Sequence, residues 1–137
     1  MPKKCVLIVD DEAESRELMR EIVEWRGYAA AEAVDGTDGL AQAERIHPDV
    51  ILLDVRMPGL DGYEVCRGLK ENPETMSIPV IFVTAVQDAA LTHLAFRVEG
   101  AACLTKPLRR EALVAVIEAV LASGERQAKP EAQGGGE

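Results

Sequence analysis

The chain has 137 residues, 47% of them hydrophobic and 28% charged, the balance of one folded domain large enough for a genuine core. Its formal net charge is −9, from 24 acids against 15 Lys and Arg, so nucleic acid and anionic lipid repel it and direct binding to either is not expected. No apolar run approaches the roughly 20 residues of a membrane span, and the apolar "CVLIV" after "MPKK" ends in acids, as a strand does and a signal peptide does not.

"CVLIV" (5–9) is a short continuous apolar run, the pattern of a parallel strand covered on both faces. From Glu12 to Arg26, Leu18, Ile22 and Trp25 follow helical spacing, and Gly27 ends that helix. "YAAAEAV" (28–34) is a weak second strand, followed by "DGTDGLAQAERIH", a helix with Thr37 or Asp38 as its cap. "DVILLD" is the third and clearest strand. The loop "VRMPGLDG" leads from it, by a tight turn at Pro58-Gly59 and an N-cap at Asp61, to a helix over roughly 63–71. "IPVIFVT" (78–84) is the fourth strand, and Leu91, Leu94, Ala95 and Val98 mark a fourth helix. "AACLT" (101–105) is the fifth strand, and Leu113, Val116, Ile117, Val120 and Leu121 give the last helix one apolar face. Arg109 and Arg110, near its start, read as a solvated pair. The polar, Gly-rich "GERQAKPEAQGGGE" reads as a disordered tail or linker stub, which sets the domain at residues 1–123 and the tail at 124–137.

A βα order repeated five times predicts an α/β fold, a doubly wound five-stranded parallel sheet of flavodoxin-like (βα)5 type. Such sheets bind their ligands outside the carboxyl ends of the strands. Those ends deliver Asp10 and Asp11 from the first strand, Asp54 from the third, Thr84 from the fourth, and Lys106 with Pro107 from the fifth. Asp54 ends an apolar run, where an unpaired charge is costly. Three carboxylates in one cleft repel one another, and hard oxygen ligands of this kind suit Mg²⁺. With Lys106 as a second cation and Thr84 as a donor, the set describes a site for an oxygen-rich anion formed at an acidic residue. The simplest such anion is a phosphoryl group on Asp54. His47 and His93 read as solvent-facing helix residues that cannot build a metal site without carboxylates. Cys5, Cys66 and Cys103, odd in number and far apart, read as reduced, buried thiols of a cytoplasmic protein.

"VLIVDDE", "VILLDVRMPGLDG", "VIFVTA" and "LTKP", in this order and each at a strand end, resemble the signature segments of the receiver (CheY-like) domain of two-component response regulators. The resemblance covers residues 4 to about 122. It implies that Asp54 accepts a phosphoryl group from a sensor histidine kinase or phosphotransfer protein. It also implies that Mg²⁺ is held by Asp11, Asp54 and the backbone carbonyl of Arg56, with Asp10 acting through water. Lys106 and Thr84 would meet phosphoryl oxygens, and Thr84 would pass the change to the surface of the fourth helix, fifth strand and fifth helix, to be read by a downstream protein or effector domain. The chain would be no enzyme beyond self-catalysed phosphoryl transfer to Asp54 and its reversal by hydrolysis. One position departs from the pattern: Cys103 stands where receivers carry Tyr or Phe as the switch partner of the threonine, in a segment one residue shorter than usual.

A haloacid-dehalogenase-like phosphatase would place its nucleophile after the first strand, in a D-x-D pattern; "DDEAES" does not supply it. A flavin carrier of the same topology needs a hydroxyl-rich loop there, and this acidic one repels phosphate. Two further readings stay open: a phosphorylation-independent interaction module, and a regulatory fragment of a longer effector such as a cyclic-dinucleotide synthase.

Overall fold

Alternation of buried strands with one-sided helices produces five parallel strands in a single sheet. The computed structural model describes residues 3–85 and 101–134. In chain order the elements are β1 (Cys5–Val9), α1 (Ala13–Trp25), β2 (Ala29–Ala33), α2 (Gly36–Ile46) and β3 (Val50–Asp54). There follow α3 (Gly62–Glu71), β4 (Val80–Thr84), β5 (Ala102–Thr105) and α4 (Arg110–Gly134). The helix expected around Leu91–Val98, and with it His93, lies outside the described residues.

Strand order is β2-β1-β3-β4-β5, every pairing parallel. The chain leaves β1 toward β2 on one side and returns to β3 on the other, so the doubly wound sheet has its switch point between β1 and β3. All residues of β3 and β4 are buried, which is why these strands read as unbroken apolar runs. Side-chain alternation splits the core in two. Leu7, Val9, Leu53 and Phe82 face α2 and α3, where they meet Val65 and Leu69. Val6, Ile8, Leu52 and Ile81 face α1 and α4, against Met19, Val23, Leu113 and Ile117.

Several details differ from the sequence pattern. α1 buries Met19, Ile22 and Val23, while Leu18 and Trp25 remain 48% and 60% exposed. The Arg110 guanidinium lies 4.3 Å from the Trp25 ring centroid, so Arg110 stacks across α1 and α4 and is more than a solvated charge. α2 is capped by Asp35, whose side chain accepts from the Asp38 N–H at 2.8 Å, not by Thr37 or Asp38. His47 is exposed but closes α2 as a left-handed cap at φ 48°, just beyond the helix. Gly27, at φ 101°, follows α1 as expected. Backbone helix continues through residues 124–134, where composition predicts a disordered tail; Glu, Arg, Gln, Ala and Lys there are all good helix formers. None of the three cysteines is in a disulfide; Cys66 is buried and Cys5 and Cys103 are half-buried.

Candidate functional site at the carboxyl end of the sheet

Pairing register builds the site. Val9 pairs with Leu53 across β1 and β3, so the next residues, Asp10 and Asp54, stand side by side at the carboxyl end. β4 pairs with β5 up to Thr84 and Thr105, which brings Lys106 to the same rim. The Lys106 N–H donates to the Thr84 carbonyl at 2.7 Å, fixing the lysine's backbone to the end of β4. From there the Lys106 Nζ reaches back and lies 3.5 Å from Asp10 Oδ2 and 3.5 Å from Asp54 Oδ2. Glu12 Oε1 is at 3.9 Å.

Both strand-end acids are withdrawn from water: Asp10 is 0% and Asp54 5% exposed. Burial, and then the neighbouring Asp10 carboxylate, push the Asp54 carboxyl up to about 6, with Lys106 opposing them. For Lys106, burial favours the neutral amine, but the Asp54 and Asp10 carboxylates outweigh it and raise its pKa. Asp54 therefore keeps its proton to a higher pH than an ordinary carboxyl does in the absence of any further cation.

The loop after β3 supports Asp54 from below. Gly62 opens α3 so close to the strand that a Cβ there would lie 2.5 Å from the Asp54 carbonyl oxygen and 2.8 Å from Val55 Cα. The Gly62 N–H donates to the Val55 carbonyl at 2.8 Å. Asp61 caps this helix in a capping box with Glu64, as its position predicts.

Of the sequence-predicted residues, Asp10, Asp54 and Lys106 come together directly. Thr84 is buried at the same rim, its hydroxyl donating over a long 3.5 Å to the Ala85 carbonyl. Asp11 is exposed in the loop after β1, and Arg56 is exposed in the loop after β3. Cys103 pairs with Phe82 across β4 and β5 and packs on the α2–α3 face of the sheet. Thr84, two residues beyond Phe82, falls on that same face by strand alternation. Sequence reasoning passed over Glu12: oxygens of Asp10, Glu12 and Asp54 all lie within 4.8 Å of one another. Three convergent carboxylate oxygens are a donor set suited to a hard divalent cation such as Mg²⁺. The signal for Glu12 was only its place in "DDE".

Comparison with known proteins places this geometry in a family. The model of the response regulator receiver domain matches residues 6–118. The chain belongs to that family, in which phosphorylation and Mg²⁺ binding at such an acidic pocket are typical. It is 40% identical over 118 residues to protein PilH of Pseudomonas aeruginosa, a match covering 85% of this chain and 97% of PilH. It is also 40% identical over 103 residues to response regulator PleD of Caulobacter vibrioides, covering 75% of this chain but 23% of PleD. The solved structure of a putative response regulator from Chloroflexus aurantiacus superimposes with a TM-score of 0.84 at 30% identity, over 88% of this chain and 98% of that one. Among the described residues no helix is long and apolar enough to cross a membrane.

Proposed function

We propose that Asp54 is the phosphoacceptor of this receiver domain, and that the donor is the phosphohistidine of a sensor histidine kinase or phosphotransfer protein. The carrying observation is the Lys106 ammonium poised 3.5 Å from each of two buried carboxylates, one of them the strand-end Asp54. An Asp54 carboxylate oxygen attacks phosphorus in line, a P–O bond forms, and the P–N bond breaks with its electron pair leaving on the imidazole nitrogen. Negative charge spread over the equatorial oxygens in this loose transition state is met by the Lys106 ammonium and the Thr84 hydroxyl. Mg²⁺ would be held by Asp11, Asp54 and the Arg56 carbonyl, with Asp10 through water, and would neutralise the crowded oxygens. A cleft of about 640 Å³ beside Lys106, bordered by Glu12, Ser15, Leu18, Pro107 and Leu108, gives the donor a way in.

Hydrolysis of the acyl phosphate resets the switch, and the chain performs no other catalysis. Thr84 and Cys103 share one face of the sheet, and we assign the output to movement of Thr84 against Cys103 and the surface around β5 and α4. The downstream reader is a protein or effector domain; the chain spans nearly all of PilH but less than a quarter of PleD, so both arrangements occur among its relatives. Residues 1–123 are the receiver domain, and 124–137 serve as a linker or tail. With a net charge of −9 the chain makes no direct contact with nucleic acid or membrane, and its place is the cytoplasm.

The test is incubation with Mg²⁺ and acetyl phosphate, then the intact mass of wild type beside Asp54→Asn. One added phosphoryl group on wild type alone is the expected result. An unlabelled wild type, where a control receiver is labelled, would replace this reading with a phosphorylation-independent interaction module.

A further inference from the structure

Behind the acid loop, on the side away from Lys106, lies a second charged cluster. Arg16 on α1 is 16% exposed, and two of its guanidinium nitrogens make hydrogen bonds. Its Nη1 donates to the Asp10 carbonyl at 2.8 Å, and its Nε donates to Glu32 Oε1 at 2.9 Å. Glu32 is the charged residue of an otherwise all-alanine edge strand. It pairs in register with Ile8, whose side chain faces α1, so strand alternation turns Glu32 toward α1 as well. Arg20, one helical turn beyond Arg16, holds the other Glu32 oxygen and also pairs with Glu24 at 3.3 Å.

A surface arginine stabilising α1 would need none of this. Here a carboxylate placed mid-strand anchors a guanidinium that also donates to one main-chain carbonyl. That carbonyl belongs to the last residue before the acid loop. The other main-chain group of Asp10, its N–H, donates to Ala33 at 3.2 Å, and Asp10 Oδ1 accepts from the Glu12 N–H at 2.9 Å. Peptide planarity makes the carbonyl bond consequential: holding the Asp10 oxygen fixes the plane of the Asp10–Asp11 peptide and thus the direction in which Asp11 and Glu12 leave the strand. Two arginines facing two glutamates leave the cluster without net charge, so it acts on geometry and not by repelling a cation.

We propose that Arg16, anchored by Glu32, is a positioning residue for the metal-binding acid loop: it holds the Asp10–Glu12 main chain so that the carboxylates converge before a divalent cation arrives. The inference rests on the reading of this pocket as a Mg²⁺ and phosphoryl site. Partners that orient metal ligands are commonly worth about 10–100-fold in metal affinity.

Calorimetric titration of the full chain with MgCl₂ tests it, with unfolding by denaturant and acetyl phosphate labelling run in parallel. Arg16→Gln and Glu32→Gln are each expected to weaken Mg²⁺ binding by about 10-fold. Their combined loss is expected to fall short of the product of the two, and Arg16→Lys to recover part of it. Labelling then slows at limiting Mg²⁺ and recovers at high Mg²⁺. A folded Arg16→Gln protein that has lost stability yet binds Mg²⁺ as wild type does would show a structural arginine only and overturn the proposal. Were Arg16→Gln unable to fold, unchanged Mg²⁺ affinity in Glu32→Gln would overturn it equally. A wild type that takes neither Mg²⁺ nor a phosphoryl group would overturn the reading of the site, and the positioning role with it.

Discussion

Asp54 and Asp10 share one ammonium group, and sharing leaves Asp54 undercompensated. Its carboxyl, raised from 3.8 to about 6 chiefly by burial and next by Asp10, is easier to protonate in the folded protein than in the unfolded chain. The corresponding cost to stability is absent below the unfolded value and fully present above about pH 6. At face value the rise equals at most about 3 kcal/mol, and solvent reaching the open cleft reduces this to roughly 1–2 kcal/mol. In EDTA, Asp54→Asn is therefore expected to stabilise the protein by about that much at pH 7.5. The gain is only partly lost at pH 4.5 and largely disappears below the unfolded value of 3.8, and denaturant titrations across this range check both outcomes. Protonation also competes with metal, so apparent Mg²⁺ affinity is expected to fall as pH drops below about 6, measurable by calorimetry across pH 5 to 8.

Among elements, α3 presses most directly on the chemistry. Gly62→Ala drives a methyl into the Asp54–Val55 backbone and is expected to cost about 1–3 kcal/mol and to slow phosphoryl labelling as well. Asp61→Ala, one residue earlier, removes only a cap, costing about 1 kcal/mol with labelling unchanged. Unfolding curves and labelling rates for the pair separate support of the helix from support of the nucleophile. The same scale shows what could be read from sequence. β3 and β4 were legible because a strand buried on both faces must be apolar throughout, and Asp10, Asp54 and Lys106 at strand ends meet once the sheet is parallel. The cap of α2 was not, because Asp35, Thr37 and Asp38 can all cap and only backbone geometry selects Asp35. The buried face of α1 was equally hidden: Leu18 and Trp25 keep helical spacing with Ile22, and the angle at which the helix docks decides that Met19 and Val23 go inside. Glu12 needed the path of the loop after β1, which one residue's identity does not specify.

For the whole molecule, among the residues whose side chains are described, the last to pack into either half-core is Leu121. Truncation after Ser123 is expected to leave stability within about 0.5 kcal/mol and labelling unchanged, as for surface changes that remove no core contact; thermal unfolding and intact mass of the shortened chain check this. A larger loss would mean that the helical extension to Gly134 belongs to the domain and not to a linker.

The single lysine at the rim has an arithmetic consequence. Asp10, Glu12 and Asp54 against Lys106 leave two uncompensated negative charges in one small volume when all are ionised. One divalent cation restores electroneutrality, whereas a single K⁺ or Na⁺ leaves half the excess in place. Charge balance among these four groups alone would therefore favour a doubly charged ion over a monovalent one before size is considered.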